Sequence, residues 1–141
     1  MSEPQRTSGG CLCGAVRFEV LGDLRPVIFC HCGQCRTQTG MYVGATDAND
    51  SALTVTGGDA VRWFRASEEA ARGFCATCGS LLFWQRDGSD RTSIMAGAFE
   101  DGTPLVAASH IFVEDKPDWY VIRDGLPRYA RSSRDGPPLA D

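Results

Sequence analysis

The chain has 141 residues, 43% hydrophobic and 23% charged, with a formal net charge of −4. That length suits one domain with a real core, and the acidic balance argues against a nucleic-acid binder, which usually carries a basic excess or stripe. No apolar run reaches about 18 residues, so no segment reads as a membrane span.

Taken in chain order, the start "MSEPQRTSGG" has no apolar centre and is not a secretory signal. Residues 1–8 are expected to be a disordered lead, 9–130 a single domain, and 131–141 a flexible tail. "AVRFEVLG" alternates with period two, as a half-buried strand does. "PVIF", "MYVGA", "ALTV" and "AVRWFR" follow, and later "SLLFWQ", "TSIMAGAF", "LVAASHIFV" and "WYVI". Turn signals such as "GGD", "RDGSD", "EDGTP" and "RDGLP" separate them. Many short strands with frequent turns predict an all-β sandwich or barrel. Helix signals are weak: "ASEEAARG" reads as a loop or a single turn, and "CGQCRTQT" as one helical turn. Trp63, Phe64, Phe74, Phe83 and Trp84 are assigned first to the core, and Trp119, Tyr120 and Tyr129 to packing or a pocket wall.

Without a translocation signal the expected setting is the cytoplasm, where disulfides are rare. Seven cysteines there point to metal or catalysis before crosslinks. They fall in three clusters: Cys11 and Cys13; Cys30, Cys32 and Cys35; Cys75 and Cys78. The C-x-x-C of Cys75 and Cys78 can chelate one ion, and Gly79 permits the tight turn after it. In an extended segment residues i and i+2 face one side, so Cys11 and Cys13 can complete a tetrahedral four-cysteine zinc site. Cys30, Cys32 and Cys35 then form a chelate with no fourth cysteine. Three protein ligands and an exchangeable fourth is the plan of a catalytic zinc. With three thiolates that zinc is a poor Lewis acid for a carbonyl, but it can hold a visiting thiol as thiolate beside an electrophile. Carbon–sulfur bond chemistry is therefore expected.

Other groupings stay open on spacing. Cys32, Cys35, Cys75 and Cys78 could form a zinc ribbon, or His110 could close the three-cysteine site and make both zincs structural. His31, between two ligand cysteines, reads as a packing or supporting residue, and His110 as a satisfied core histidine. The positive charge is almost all arginine, which can grip a carboxylate with a paired fork. Arg36, Arg62, Arg65 and Arg72 are candidates for that by their place near the clusters.

The stretches "GGCLCGAVRFEV", "CHCGQCRTQTG", "RGFCATCGSLLFW" and "HIFVEDKPDWYVIRDGLPRY" together resemble the glutathione-dependent formaldehyde-activating family, which includes centromere protein V relatives. The likeness runs from about Gly9 to Tyr129 and takes in all seven cysteines. It implies a fold of coiled antiparallel β-sheets. It implies a structural zinc on Cys11, Cys13, Cys75 and Cys78 and a catalytic zinc on Cys30, Cys32 and Cys35, two ions per chain. It also implies a carbon–sulfur lyase that adds glutathione or a similar thiol to formaldehyde or a related aldehyde, reversibly. The alternative is a non-catalytic zinc module that binds a partner protein. Small-molecule thiol and aldehyde are the expected partners, with no nucleic acid and no membrane.

Overall fold

A computed structural model describes residues 4–140. Ten strands run in chain order as β1 (Arg6–Gly10), β2 (Arg17–Leu21), β3 (Val27–Cys30), β4 (Val43–Asn49), β5 (Leu53–Thr56), β6 (Val61–Arg65), β7 (Ala70–Cys75), β8 (Leu81–Arg86), β9 (Arg91–Met95) and β10 (Ala107–Ile111). The one α-helix among the described residues, α1 (Gly33–Thr39), follows β3, and four short 3-10 turns complete the set. The protein is therefore mainly β, as expected. No helix among the described residues is long and apolar enough to cross a membrane.

The chain forms two compact units, each made of separated segments. Of the described residues, the first takes 4–25 and 46–104, the second 26–45 and 105–140, and β4 carries the chain from one to the other.

In the first unit β1, β2 and β5 form one antiparallel sheet, and β4, β9, β8, β7 and β6 lie side by side in a second. β2 shows the alternation its sequence promises: Phe18 and Val20 are buried, while Arg17 and Glu19 turn outward to pair with Glu100 and Arg6. Phe18 meets Phe83 of the facing sheet edge-on at 5.9 Å and Phe99 at 5.0 Å. Burying one such ring contributes about 1.5–3 kcal/mol, so Phe18 joins the two sheets of this unit.

β1 differs from expectation, since three residues of the anticipated disordered lead (Arg6 to Ser8) belong to it; residues 1–3 lie outside the described residues. The strand has no apolar signature because its inward positions are Thr7 and Gly9. A Cβ on Gly9 would stand 2.2 Å from the Ala98 carbonyl oxygen and 2.7 Å from the Phe18 ring, so only glycine fits this close approach.

Two further expectations are corrected in the first unit. "ASEEAARG" contains the start of β7, and its first four residues are the loop of the β6–β7 hairpin. Trp63 and Phe64 lie on β6, the last strand of its sheet, and are 48% and 57% exposed rather than core. Trp63 still covers Gly73 and stacks on Phe83 at 6.2 Å.

In the second unit β3 pairs antiparallel with the first residues of β4 and parallel with β10. The parallel pair departs from the all-antiparallel expectation. "WYVI" is irregular rather than a strand: Trp119 and Val121 are exposed, just after Pro117. The C-terminal segment returns to β10, with the His110 N–H donating to Pro127 O and the Tyr129 N–H to His110 O, both at 2.9 Å. The expected tail is tied back at Leu139, whose N–H donates to Arg128 O at 2.6 Å.

Candidate metal centres

In the first unit the sulfurs of Cys11, Cys13, Cys75 and Cys78 all lie within 4.8 Å of one another. The turn after β1 supplies two of them and the turn between β7 and β8 the other two. Cys11 and Cys13 sulfurs are 3.6 Å apart, Cys13 and Cys75 sulfurs 3.8 Å. Four thiolates around one zinc at about 2.3 Å sit roughly 3.8 Å from each other, so the donor set fits that ion. Gly79, at φ +80°, turns the chain back so that its N–H reaches Cys75 O at 2.8 Å. The Val16 N–H donates to the Cys11 sulfur at 3.2 Å.

Ser80 is a participant that sequence reasoning missed. Its hydroxyl oxygen accepts the Leu12 N–H at 3.0 Å and lies 3.2 Å from the Cys78 sulfur. When the sulfur is ionised it can only accept, and the hydroxyl then donates to it. Chiefly for that reason, with help from backbone N–H groups, the Cys78 thiol is brought down to about 5. The only hint in sequence is its place two residues after Cys78.

The second unit holds Cys30, Cys32 and Cys35, whose sulfurs also lie within 4.8 Å of one another. Cys30 ends β3. Cys32 is the N-cap of α1, with φ −61° and ψ 159°, and its sulfur accepts the Cys35 N–H at 3.4 Å. Cys35 is buried in the first turn, 3.2 Å from Cys32 sulfur to sulfur. The helix is about two turns long rather than the one expected. Its end is set by Gly40, in the left-handed region, whose N–H caps Arg36 O. The Cys32 and Cys35 thiols, and then burial, push Cys30 strongly up. Three crowded thiols resist ionising together, and a cation among them would offset that repulsion.

His110 does not join this group, because both its ring nitrogens are engaged: Nδ1 with His31 Nε2 at 2.8 Å, Nε2 with Asp124 Oδ2 at 2.7 Å. His31 and His110 are each 1% exposed. Burial first, then the His110 and Lys116 charges, bring His31 down to about 4, so it is neutral. The Tyr42 ring lies 4.6 Å from His31, and its hydroxyl lies 3.4 Å from that of Tyr120. That contact, with burial, raises Tyr42 to about 12. Sequence reading had passed over Tyr42 and Asp124.

Of the four candidate arginines only Arg36 shares a unit with the three-cysteine group, and its Nη1 donates to Asp115 O at 2.7 Å. Arg65 is held by Asp87 through two hydrogen bonds, and Arg72 is buried in β7. Tyr129 borders a recess of about 380 Å³ with Arg131 and Asp135, and no cysteine lines it.

Fold and site thus define a mainly β protein with two cysteine clusters able to hold metal ions, one in each compact unit. A family model described as glutathione-dependent formaldehyde-activating enzyme matches residues 6–115, and the chain belongs to that family. A putative glutathione-dependent formaldehyde-activating enzyme of Halomonas elongata is 31% identical over 126 residues, covering 81% of this chain and 79% of the relative. An uncharacterized lyase of Schizosaccharomyces pombe is 26% identical over 113 residues, 79% of this chain and 82% of the relative. A crystal structure of a Rhodobacter sphaeroides protein superimposes with a TM-score of 0.57 at 29% identity, covering 69% of this chain and 91% of that one.

Proposed function

We propose that the protein is a zinc-dependent carbon–sulfur lyase that joins a thiol, glutathione or a similar one, to formaldehyde or a related small aldehyde, reversibly. The observation that carries this reading is the unequal cysteine count: four gathered sulfurs in one unit, three in the other. Membership of the family and the names of its relatives support the substrate class.

In this reading Cys11, Cys13, Cys75 and Cys78 hold a structural zinc that clips the β1–β2 turn to the β7–β8 turn. Cys30, Cys32 and Cys35 hold the catalytic one. A zinc ion held by these three thiolates would keep a substrate thiol ionised beside the aldehyde. The chain fixes the geometry: Cys30 is set by the end of a paired strand, and Cys32 and Cys35 by the cap and first turn of α1. The new bond forms from a sulfur lone pair to the aldehyde carbon, the carbonyl pair moves to oxygen, and a proton from water completes the hydroxymethyl thioether. The reverse order releases the aldehyde.

The test is NMR exchange between ¹³C-formaldehyde and glutathione at equilibrium, with zinc-loaded protein, with Cys32→Ser and with neither. Exchange accelerated by the native chain alone supports the reading. No acceleration, with two zinc ions bound and other thiols also tried, overturns it in favour of a binding module.

A further inference from the structure

We propose that His110 and Asp124 are positioning residues for the three-cysteine centre, acting through His31; this rests on reading Cys30, Cys32 and Cys35 as a metal site. His31 lies between two of those ligands. Its backbone N–H donates to Ile111 O at 3.0 Å, continuing the parallel ladder in which Cys30 faces Ile111 and Phe29 faces His110. Side chains alternate along an extended stretch, so the imidazole leaves on the side opposite the Cys30 and Cys32 sulfurs. There it meets His110, and His110 meets Asp124. Asp124 is fixed in turn: its Oδ1 accepts the Leu126 N–H at 3.0 Å. A continuous side-chain connection therefore runs from the ligand-bearing turn through two buried rings to the 124–129 segment that pairs with β10.

The connection has a direction. An ionised carboxylate only accepts, so His110 presents Nε2–H to Asp124. One proton lies between His110 Nδ1 and His31 Nε2, so each ring holds the other in place whichever nitrogen carries it. Neither ring can rotate without leaving a buried polar atom unpaired. Two apolar rings of the same shape would pack here without any such demand. What the polar chain adds is a fixed orientation of His31, and Cys30 and Cys32 are its immediate neighbours. A centre with three ligands depends on that orientation more than one with four, because no fourth side chain holds the spacing.

The experiment follows zinc release from the zinc-loaded full chain to an excess of a chromophoric chelator, with the four-cysteine centre as internal control. The variants are Asp124→Ala, Asp124→Asn and His110→Phe. The Asp124 side chain is 43% exposed, so its removal leaves the core packed. In Asp124→Ala and His110→Phe the faster phase of release accelerates about tenfold, the scale of partners beyond the ligands themselves, while the slower phase is unchanged. Asp124→Asn, which keeps an acceptor oxygen, returns toward the native rate. The chain has two histidines, so imidazole ¹⁵N signals are readily assigned. Those of His31, which Asp124 does not bond directly, shift in Asp124→Ala and recover in Asp124→Asn.

Native release from His110→Phe, or His31 signals indifferent to Asp124, overturns the proposal in favour of plain packing. Release that responds as stated, in a chain without aldehyde–thiol exchange, upholds the positioning role and removes the lyase reading. A chain that takes up a single zinc overturns both.

Discussion

The Cys13 and Cys75 sulfurs lie 3.8 Å apart although 62 positions separate them in the chain. Losing this link costs the closure of a long loop as well as metal–ligand bonds. Cys78→Ser is expected to lower the melting temperature by roughly 10 °C or more, the shift that several kcal/mol produces in a domain of this size. Cys32→Ser leaves the melt of the first unit nearly unchanged and removes activity. Thermal melts of both variants, each with zinc content measured, check this; equal unfolding would sink the division into structural and catalytic centres.

Ser80→Ala removes the hydroxyl between Leu12 and the Cys78 sulfur. That hydroxyl is the first cause of the lowered Cys78 thiol, so its loss makes the thiolate less favourable. Faster zinc loss from the four-cysteine centre is expected, with the three-cysteine centre unaffected. Ser80→Thr, which keeps the hydroxyl, serves as the control.

Gly9→Ala places a methyl group 2.2 Å from the Ala98 carbonyl oxygen, a backbone atom that cannot swing aside. Overpacking of this kind costs about 1–3 kcal/mol. Chemical denaturation is expected to show a lower midpoint with an unchanged slope. A variant as stable as the native chain would mean that β1 shifts away from Phe99 freely.

Asp124 is held below its ordinary 3.8, first by the Leu126 N–H and then by His110. The sign follows from linkage: a carboxylate depressed in the folded state stabilises above its unfolded value and loses that contribution as pH falls through the folded one. Relative to Asp124→Asn, the native chain should therefore lose stability as pH drops below about 4. Melts of the two proteins across pH 3 to 6 measure it; parallel curves would show that the carboxylate carries no such contribution.

The grouping of sulfurs follows from rules a sequence displays, since i and i+2 on an extended stretch and i and i+3 across a turn face together. So does the mainly β character, through short alternating runs such as "AVRFEVLG". The His31–His110 contact does not. It requires a parallel pairing of β3 with β10, and no local pattern announces which distant strand lies alongside. Asp124 was hidden in the turn signal "RDGLP", where an acidic residue is ordinarily solvated. β1 was hidden because close backbone approach selects glycine, the residue that reads as a loop. Trp63 and Phe64 misled in the opposite sense: aromatic residues suggest the interior, yet β6 is the last strand of its sheet.

The interleaving of the two units bears on how the chain is made. Synthesis delivers Cys11, Cys13, Cys30, Cys32 and Cys35 before Cys75 and Cys78 exist. Five thiols are thus present on the nascent chain while neither final partition is available to the first pair. On the proposed assignment, an ion captured then by Cys11 and Cys13 would have to exchange partners once β7 and β8 emerge. The second unit waits longer still, because β10 and His110 arrive last among its strands. On the proposed assignment, loading of both centres would finish only late in synthesis, and a cell short of zinc, or flooded with a tighter thiolate-binding metal such as copper, would betray itself first in chains whose early thiols had been claimed too soon.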